Sequence, residues 1–255
     1  MPETNLLNIF ANRFWFAPDD VLLRAKEGLI WSDQQIIPPS LDIGCGDATI
    51  SRILFKGHQP IDIGIDLDKS AIKKARQSKF YKKVMAVDAA NMPFKAGSFQ
   101  TVISNSTFEH IVNDAKAVAE VSRVLKPKGV FIFTVPSTRL KAYFSQPINR
   151  RVSHLHYRRL SDWRQLLKSN GLKLVEAHYY LAPPAVKLWL QLFKLFTFKP
   201  YKRELWSYLQ DSFLTPILPK KIFGLFIKKL LLPHYYPAFN QDGTWLFIKA
   251  VKQSK

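Results

Sequence analysis

Short, continuous apolar runs rich in β-branched residues alternate with segments of helical period through the first 140 residues of the chain. Residues 40–44 (with an acid, Asp42, inside), 61–66, 84–87, 101–104 and 130–135 are the runs. Residues 47–55, 69–77 and 114–125 are the helical segments. Asp68 or Ser70 is placed to cap the second helix, and Lys126-Pro127-Lys128-Gly129 closes the third. A strand apolar along its whole length must be covered on both faces, and strands joined through helices run parallel. The pattern predicts an α/β fold with a doubly wound, mostly parallel sheet. Further on, residues 161–170 read as a helix stopped by Gly171, and residues 172–181 and 244–251 as two more strands.

About 60 residues separate those last two strands, too many for a structureless loop in a compact domain. Residues 182–240 hold nine Lys and Arg, two acids (Glu204 and Asp211) and thirteen aromatics. They read as a helical insertion of different character. The expected organisation is an N-terminal helical cap over residues 1–37, a main domain over 38–181 and 241–255, and the basic aromatic insertion over 182–240. The 255 residues suit one domain with such embellishments.

Charge narrows the partners. Thirty-eight basic residues face 19 acidic ones, a formal charge of +19. That favours an anionic membrane surface, a nucleic acid or an acidic substrate. The single cysteine, Cys45, excludes an internal disulfide framework and a cysteine-cluster metal site. The start has no secretory pattern and no run is long enough to span a bilayer. A cytoplasmic protein is expected.

Four ordered motifs carry chemistry. Leu41-Asp42-Ile43-Gly44-Cys45-Gly46-Asp47-Ala48 joins a strand to a helix, where glycines admit a ligand to the backbone. Gly-x-Gly alone is equally a tight turn. Ile61–Asp66 follows about 20 residues later and ends in an acid placed for ribose hydroxyls, with Leu67 beside it. Val87-Asp88-Ala89-Ala90 places a third acid after a strand, where it can receive an adenine amino group. Ser104-Asn105, followed by Phe108-Glu109-His110, ends the fourth strand.

Across residues 38–136 this series resembles the class I S-adenosylmethionine-dependent methyltransferases, in particular the small-molecule and lipid group. The resemblance implies a seven-stranded sheet with the last strand antiparallel. It also implies roles in binding S-adenosylmethionine. Asp42 would orient the loop and the methionine amino group. Gly44, Cys45 and Gly46 would form the loop, and Asp66 with Leu67 would meet the ribose. Asp88 and Ala89 would meet the adenine, and Ser104 and Asn105 the methionine. The family's third loop glycine is Ala48 here, a substitution expected to pack without loss of binding. Nicotinamide binding, the rival use of this topology, is disfavoured by the Gly-x-Gly-x-Ala spacing and by Asp88-Ala89.

An oxygen acceptor needs a base, and His110, His154 and His156 are the candidates. His110 is preferred because it follows the fourth strand. His154-x-His156 could pair on a metal, but no third ligand accompanies them, so no metal is expected. In the insertion, Lys187 and Lys194 border Trp189 and Phe193. Lys220, Lys221, Lys228 and Lys229 border Ile222, Phe223, Phe226, Ile227 and Leu230, with Tyr201, Trp206 and Tyr208 between. This is the pattern of a helix in a membrane interface, and equally of a lid packed over a pocket. The arginines at 150, 151, 158, 159 and 164 could bind phosphate. No nucleic-acid-binding module is recognisable, so RNA methylation is the second reading. A catalytically silent cofactor-binding relative is the third.

Overall fold

The computed structural model describes residues 4–57, 60–199, 202–211 and 220–254. Seven strands form one sheet: β1 (Ser40–Ile43), β2 (Ile61–Asp66), β3 (Tyr81–Ala86), β4 (Phe99–Asn105), β5 (Leu125–Pro136), β6 (Leu172–Tyr180) and β7 (Trp245–Lys252). Their order is β3-β2-β1-β4-β5-β7-β6. β1 pairs in parallel with β2 (Leu41 opposite Ile63) and with β4 (Leu41 opposite Val102). β7 runs antiparallel to β5, with Phe247 opposite Thr134. β1 is buried at every residue, its polar Ser40 and Asp42 included.

The helices are α1 (Thr4–Arg13), α2 (Pro18–Ser32), α3 (Ser51–Leu54), α4 (Lys69–Ser78), α5 (Asp114–Val124), α6 (Thr138–Lys141), α7 (Gln146–Val152), α8 (Leu160–Ser169), α9 (Pro183–Phe196), α10 (Leu205–Asp211) and α11 (Lys220–Tyr235). Asp68 caps α4, accepting from the Ser70 N–H at 2.7 Å. The expected helix over 47–55 shrinks to one turn. Gly46 and Ala48 sit at φ +52° and +68°, left-handed values that no right-handed helix admits. The departure at Ala48 therefore costs backbone conformation, where only packing was expected to matter. The expected turn at 126–129 lies within β5, with Lys128 at φ +63° and a register shift opposite Phe99 and Thr101.

The chain divides into two compact units. Gln34–Tyr179 with Thr244–Lys255 hold the sheet and α3 to α8. Their core stacks Phe131 on Phe133 with ring centres 4.4 Å apart, and Trp163 meets Phe133 edge-on at 4.9 Å. Phe108, fully buried, joins this cluster at 5.7 Å from Phe133. It thereby anchors the short 3-10 turn Phe108–His110 that follows β4.

Met1–Asp33 with Tyr180–Gly243 form the other unit, in which α1 packs on α2 and α11, and α2 on α9. Gly224, Ile227, Leu231 and Tyr235 recur at helical spacing and form the buried face of α11. Glu27, also buried, accepts from Arg24 at 2.7 Å and from the Tyr180 hydroxyl at 3.2 Å. Leu225, Phe226, Leu230 and Leu232 of α11 are exposed. Tyr201 and the side chains of Lys220, Lys221, Ile222 and Phe223 lie outside the described residues. No helix among the described residues is long and apolar enough to cross a membrane.

Candidate active site

Ligands of open α/β sheets bind outside the carboxyl ends of the strands, where the strand order reverses. In this sheet β1 lies between β2 and β4, and that reversal point opens into a cavity of about 580 Å³. Its polar lining includes Asp66, Asp88, Ser106, Thr107, His110 and Asn113. Ile43, Ile65, Val87, Ile111 and Val112 supply apolar walls.

Gly44 begins the loop after β1 at φ +79°, and a Cβ there would overlap the Thr107 side chain. Only glycine allows the β1 and β4 loops to approach this closely. The Gly44 and Cys45 N–H groups donate to Ile65 O at 2.8 and 3.0 Å, stitching the loop to β2. Asp66 completes the stitch. Its Oδ2 accepts from the Gly46 N–H and its Oδ1 from the Asp68 N–H, both at 2.9 Å. A carboxylate oxygen has two lone pairs, so each retains acceptor capacity toward the cavity. Asp88 is held similarly, with Oδ1 accepting from the Ala90 N–H at 2.8 Å.

Of the residues singled out from sequence, Gly44, Asp66, Leu67, Asp88, Ala89 and His110 line the cavity. Asp42, Cys45, Gly46, Ser104 and Asn105 do not. The Asp42 carboxylate is buried, accepting from the Tyr81 hydroxyl at 2.5 Å and from Ser51 Oγ at 3.1 Å. Burial pushes its pKa up to about 6. Ser104 is turned inward and donates to Ile43 O at 2.9 Å, while Asn105 Oδ1 accepts from Thr134 at 2.9 Å. Cys45 is buried, and burial pushes its thiol well above the ordinary range, so it is no nucleophile. Ser106, at φ +47°, and Thr107 take the lining position expected of Ser104 and Asn105. The chain turns one step beyond the strand's apolar pattern, and only that pattern was visible in the sequence.

The histidines divide by position. His110 Nδ1 lies 3.1 Å from Ser153 O. His154 Nδ1 lies 3.0 Å from the Tyr157 hydroxyl, which donates to Asn149 Oδ1 at 2.7 Å. Burial, reinforced by His110, lowers the His154 pKa to about 3, so this imidazole is neutral at pH 7. His156 faces elsewhere, with Nε2 2.9 Å from Ile111 O. His154 and His156 therefore do not meet. His154 instead meets His110, with ring centres 5.1 Å apart. Glu109, unremarked in the sequence reading as a site residue, is buried beside them, and its carbonyl accepts from the Leu155 N–H at 2.7 Å. Of the arginine cluster, Arg158 is committed to Asp114 through two contacts of 2.7 Å.

The family described as "Methyltransferase domain" matches residues 41–133. An uncharacterized protein of Methanocaldococcus jannaschii, MJ1252, is 39% identical over 95 residues, 37% of this chain and 36% of that protein. The 2-methyl-6-phytyl-1,4-hydroquinone methyltransferase of Synechocystis is 27% identical over 178 residues, 63% of this chain and 55% of that one. The chain thus spans between about a third and just over half of these two relatives. The solved structure of Bacillus subtilis YcgJ shares the fold, with a TM-score of 0.55 at 18% identity over 90% of this chain and 99% of that one. Sheet order, cavity position and family match agree, and residues 41–133 are similar to the methyltransferase domains of the class I S-adenosylmethionine-dependent family.

Proposed function

We propose that this chain transfers a methyl group from S-adenosylmethionine to a small hydrophobic or lipid-linked acceptor, working against an anionic membrane surface. The observation that carries the first part is the cavity at the strand ends, bracketed by Asp66 and Asp88 above the Gly44 loop. Its volume suits a nucleoside-sized ligand. Its chemistry suits the cofactor: two carboxylates for hydroxyl and amino groups, apolar walls for a flat ring, and backbone exposed where no Cβ fits. When bound, the cofactor supplies an electrophilic methyl on a sulfonium.

The protein's part is to hold and to deprotonate. Asp66 accepts the ribose hydroxyls, and Leu67 covers the sugar. Asp88 and Ala89 receive the adenine. Asp42, through Ser51 and Tyr81, keeps the β1 loop in place from behind, as do Cys45 and Gly46 within the loop. Ser104 and Asn105 brace the end of β4, and Ser106 and Thr107 face the methionine end. Ser153 O can only accept, so His110 Nδ1 carries a hydrogen and, in the neutral ring, Nε2 bears the lone pair. That lone pair takes the proton of an acceptor hydroxyl.

Two observations favour an apolar acceptor and a membrane. Leu225 and Phe226 of α11 are 63% and 62% exposed, with Lys228 and Lys229 next in sequence. Exposed apolar groups bordered by lysines suit an anionic interface. The Synechocystis relative is named for a phytyl hydroquinone.

The test incubates the purified protein with methyl-labelled cofactor and a total cell extract, followed by phase separation. Label in the organic phase is expected. Label confined to the aqueous or nucleic-acid fraction would overturn the lipid-like acceptor. Cofactor binding without any labelled product would overturn methyl transfer itself.

A further inference from the structure

One ligand atom from each of Glu109, His110 and His154 lies within 4.8 Å of the other two, and Glu109 Oε1 is 4.0 Å from His110 Nε2. From this cluster we infer a binding site for one divalent transition-metal ion, with Zn²⁺ the natural occupant, on the acceptor side of the cavity.

The hydrogen bonds around the imidazoles decide their tautomers. Ser153 O accepts from His110 Nδ1–H at 3.1 Å, so in the neutral ring the lone pair is on His110 Nε2. The Tyr157 hydroxyl spends its proton on Asn149 Oδ1, so its oxygen accepts from His154 Nδ1–H. His154 Nε2 is unprotonated too. Both second nitrogens are thus engaged with an oxygen acceptor, the arrangement that orients metal-ligating histidines. Two neutral imidazole nitrogens and one carboxylate are the ligand set of open zinc sites and of facial two-histidine, one-carboxylate sites.

Preorganisation supports the same reading. Phe108 anchors the turn that carries Glu109 and His110 in the aromatic core. The loop carrying His154 is clamped to that turn by the Leu155 and His156 N–H groups on Glu109 O. Three groups that bear lone pairs or negative charge are thereby brought together across 45 residues of sequence. Ligands on a tetrahedral zinc sit roughly 3.4 Å apart, given Zn–N distances of about 2.1 Å. The present separations, up to 4.8 Å, exceed that spacing by about 1.4 Å, and the His110 side chain is 44% exposed. His110 also lines the cavity, so the ion would sit at its edge. The site stands on these contacts and does not require methyl transfer.

The test uses Co²⁺ as the probe, titrated into the chelator-stripped full chain. Visible ligand-field absorption saturating at one equivalent, and displaced by Zn²⁺, is expected. H110A, at an exposed position, should weaken uptake roughly 100-fold or more, Y157F about 10-fold, and H156A not at all. E109Q keeps the buried side chain's shape and should weaken uptake as H110A does, with an unchanged circular dichroism spectrum. Absence of saturable uptake in the wild type, or uptake surviving H110A, would overturn the site. Cofactor titration of the metal-free protein is read separately, so failure of either reading leaves the other standing.

Discussion

Gly44→Ala tests whether the close approach of the β1 and β4 loops builds the cavity. The substitution meets two obstacles. At φ +79° an L-residue pays about 1–2 kcal/mol of backbone strain. Its Cβ would also overlap Thr107, whose Oγ1, Cγ2 and Cβ are its three nearest neighbours, and overpacking of this kind costs about 1–3 kcal/mol. The expected loss is about 2–5 kcal/mol. Thr107→Gly removes all three obstructing atoms and leaves only the backbone component. In that background Gly44→Ala should cost about 1–2 kcal/mol, a coupling of about 1–3 kcal/mol between the sites. Urea unfolding of the four proteins, followed by circular dichroism, reads the cycle, and calorimetry with S-adenosylmethionine reads the cavity. Cofactor affinity should fall in G44A, where Thr107 must move aside, and recover in part in the double variant. An equal cost in both backgrounds, or a cost below about 0.5 kcal/mol, would refute the steric argument.

Asp66→Ala should lower cofactor affinity by about 1–3 kcal/mol through lost charge-assisted hydrogen bonds, and calorimetry showing unchanged affinity would show that another group meets the ribose. Asp42 has a folded pKa of about 6 against the ordinary 3.8. Its contribution is therefore fully present below pH 3.8 and lost as pH rises through 6, a swing of about 3 kcal/mol. The stability of wild type relative to D42N should fall by that amount between pH 3.5 and 7 (roughly the window these two pKa values set), and a flat difference would contradict the assignment. Replacing Lys228 and Lys229 by Gln should weaken binding to anionic vesicles by about 1 kcal/mol per residue and leave cofactor affinity unchanged; loss of both together would make these lysines structural.

Much of the α/β frame was legible along the chain because a strand buried on both faces must be apolar throughout. β4 and β5 announce themselves in this way and β1 and β2 more weakly, with acids inside their runs, and Asp66, Asp88 and the loop glycines follow from their places at strand ends. Local patterns failed where backbone conformation overrides them. The helix expected over 47–55 is cut to one turn by left-handed Gly46 and Ala48, and the turn at 126–129 is absorbed into β5. Only the tertiary structure could decide which polar side chains face the cavity. Asp42 and Ser104 sit in the expected motifs, yet their hydrogen bonds to Tyr81 and Ile43 turn them inward. The Glu109, His110 and His154 cluster was equally beyond sequence reasoning, since two of its members stand 44 residues apart and the loop that unites them is held by backbone hydrogen bonds. Residue type and spacing specify which chemistry a chain carries, and long-range packing selects which groups meet.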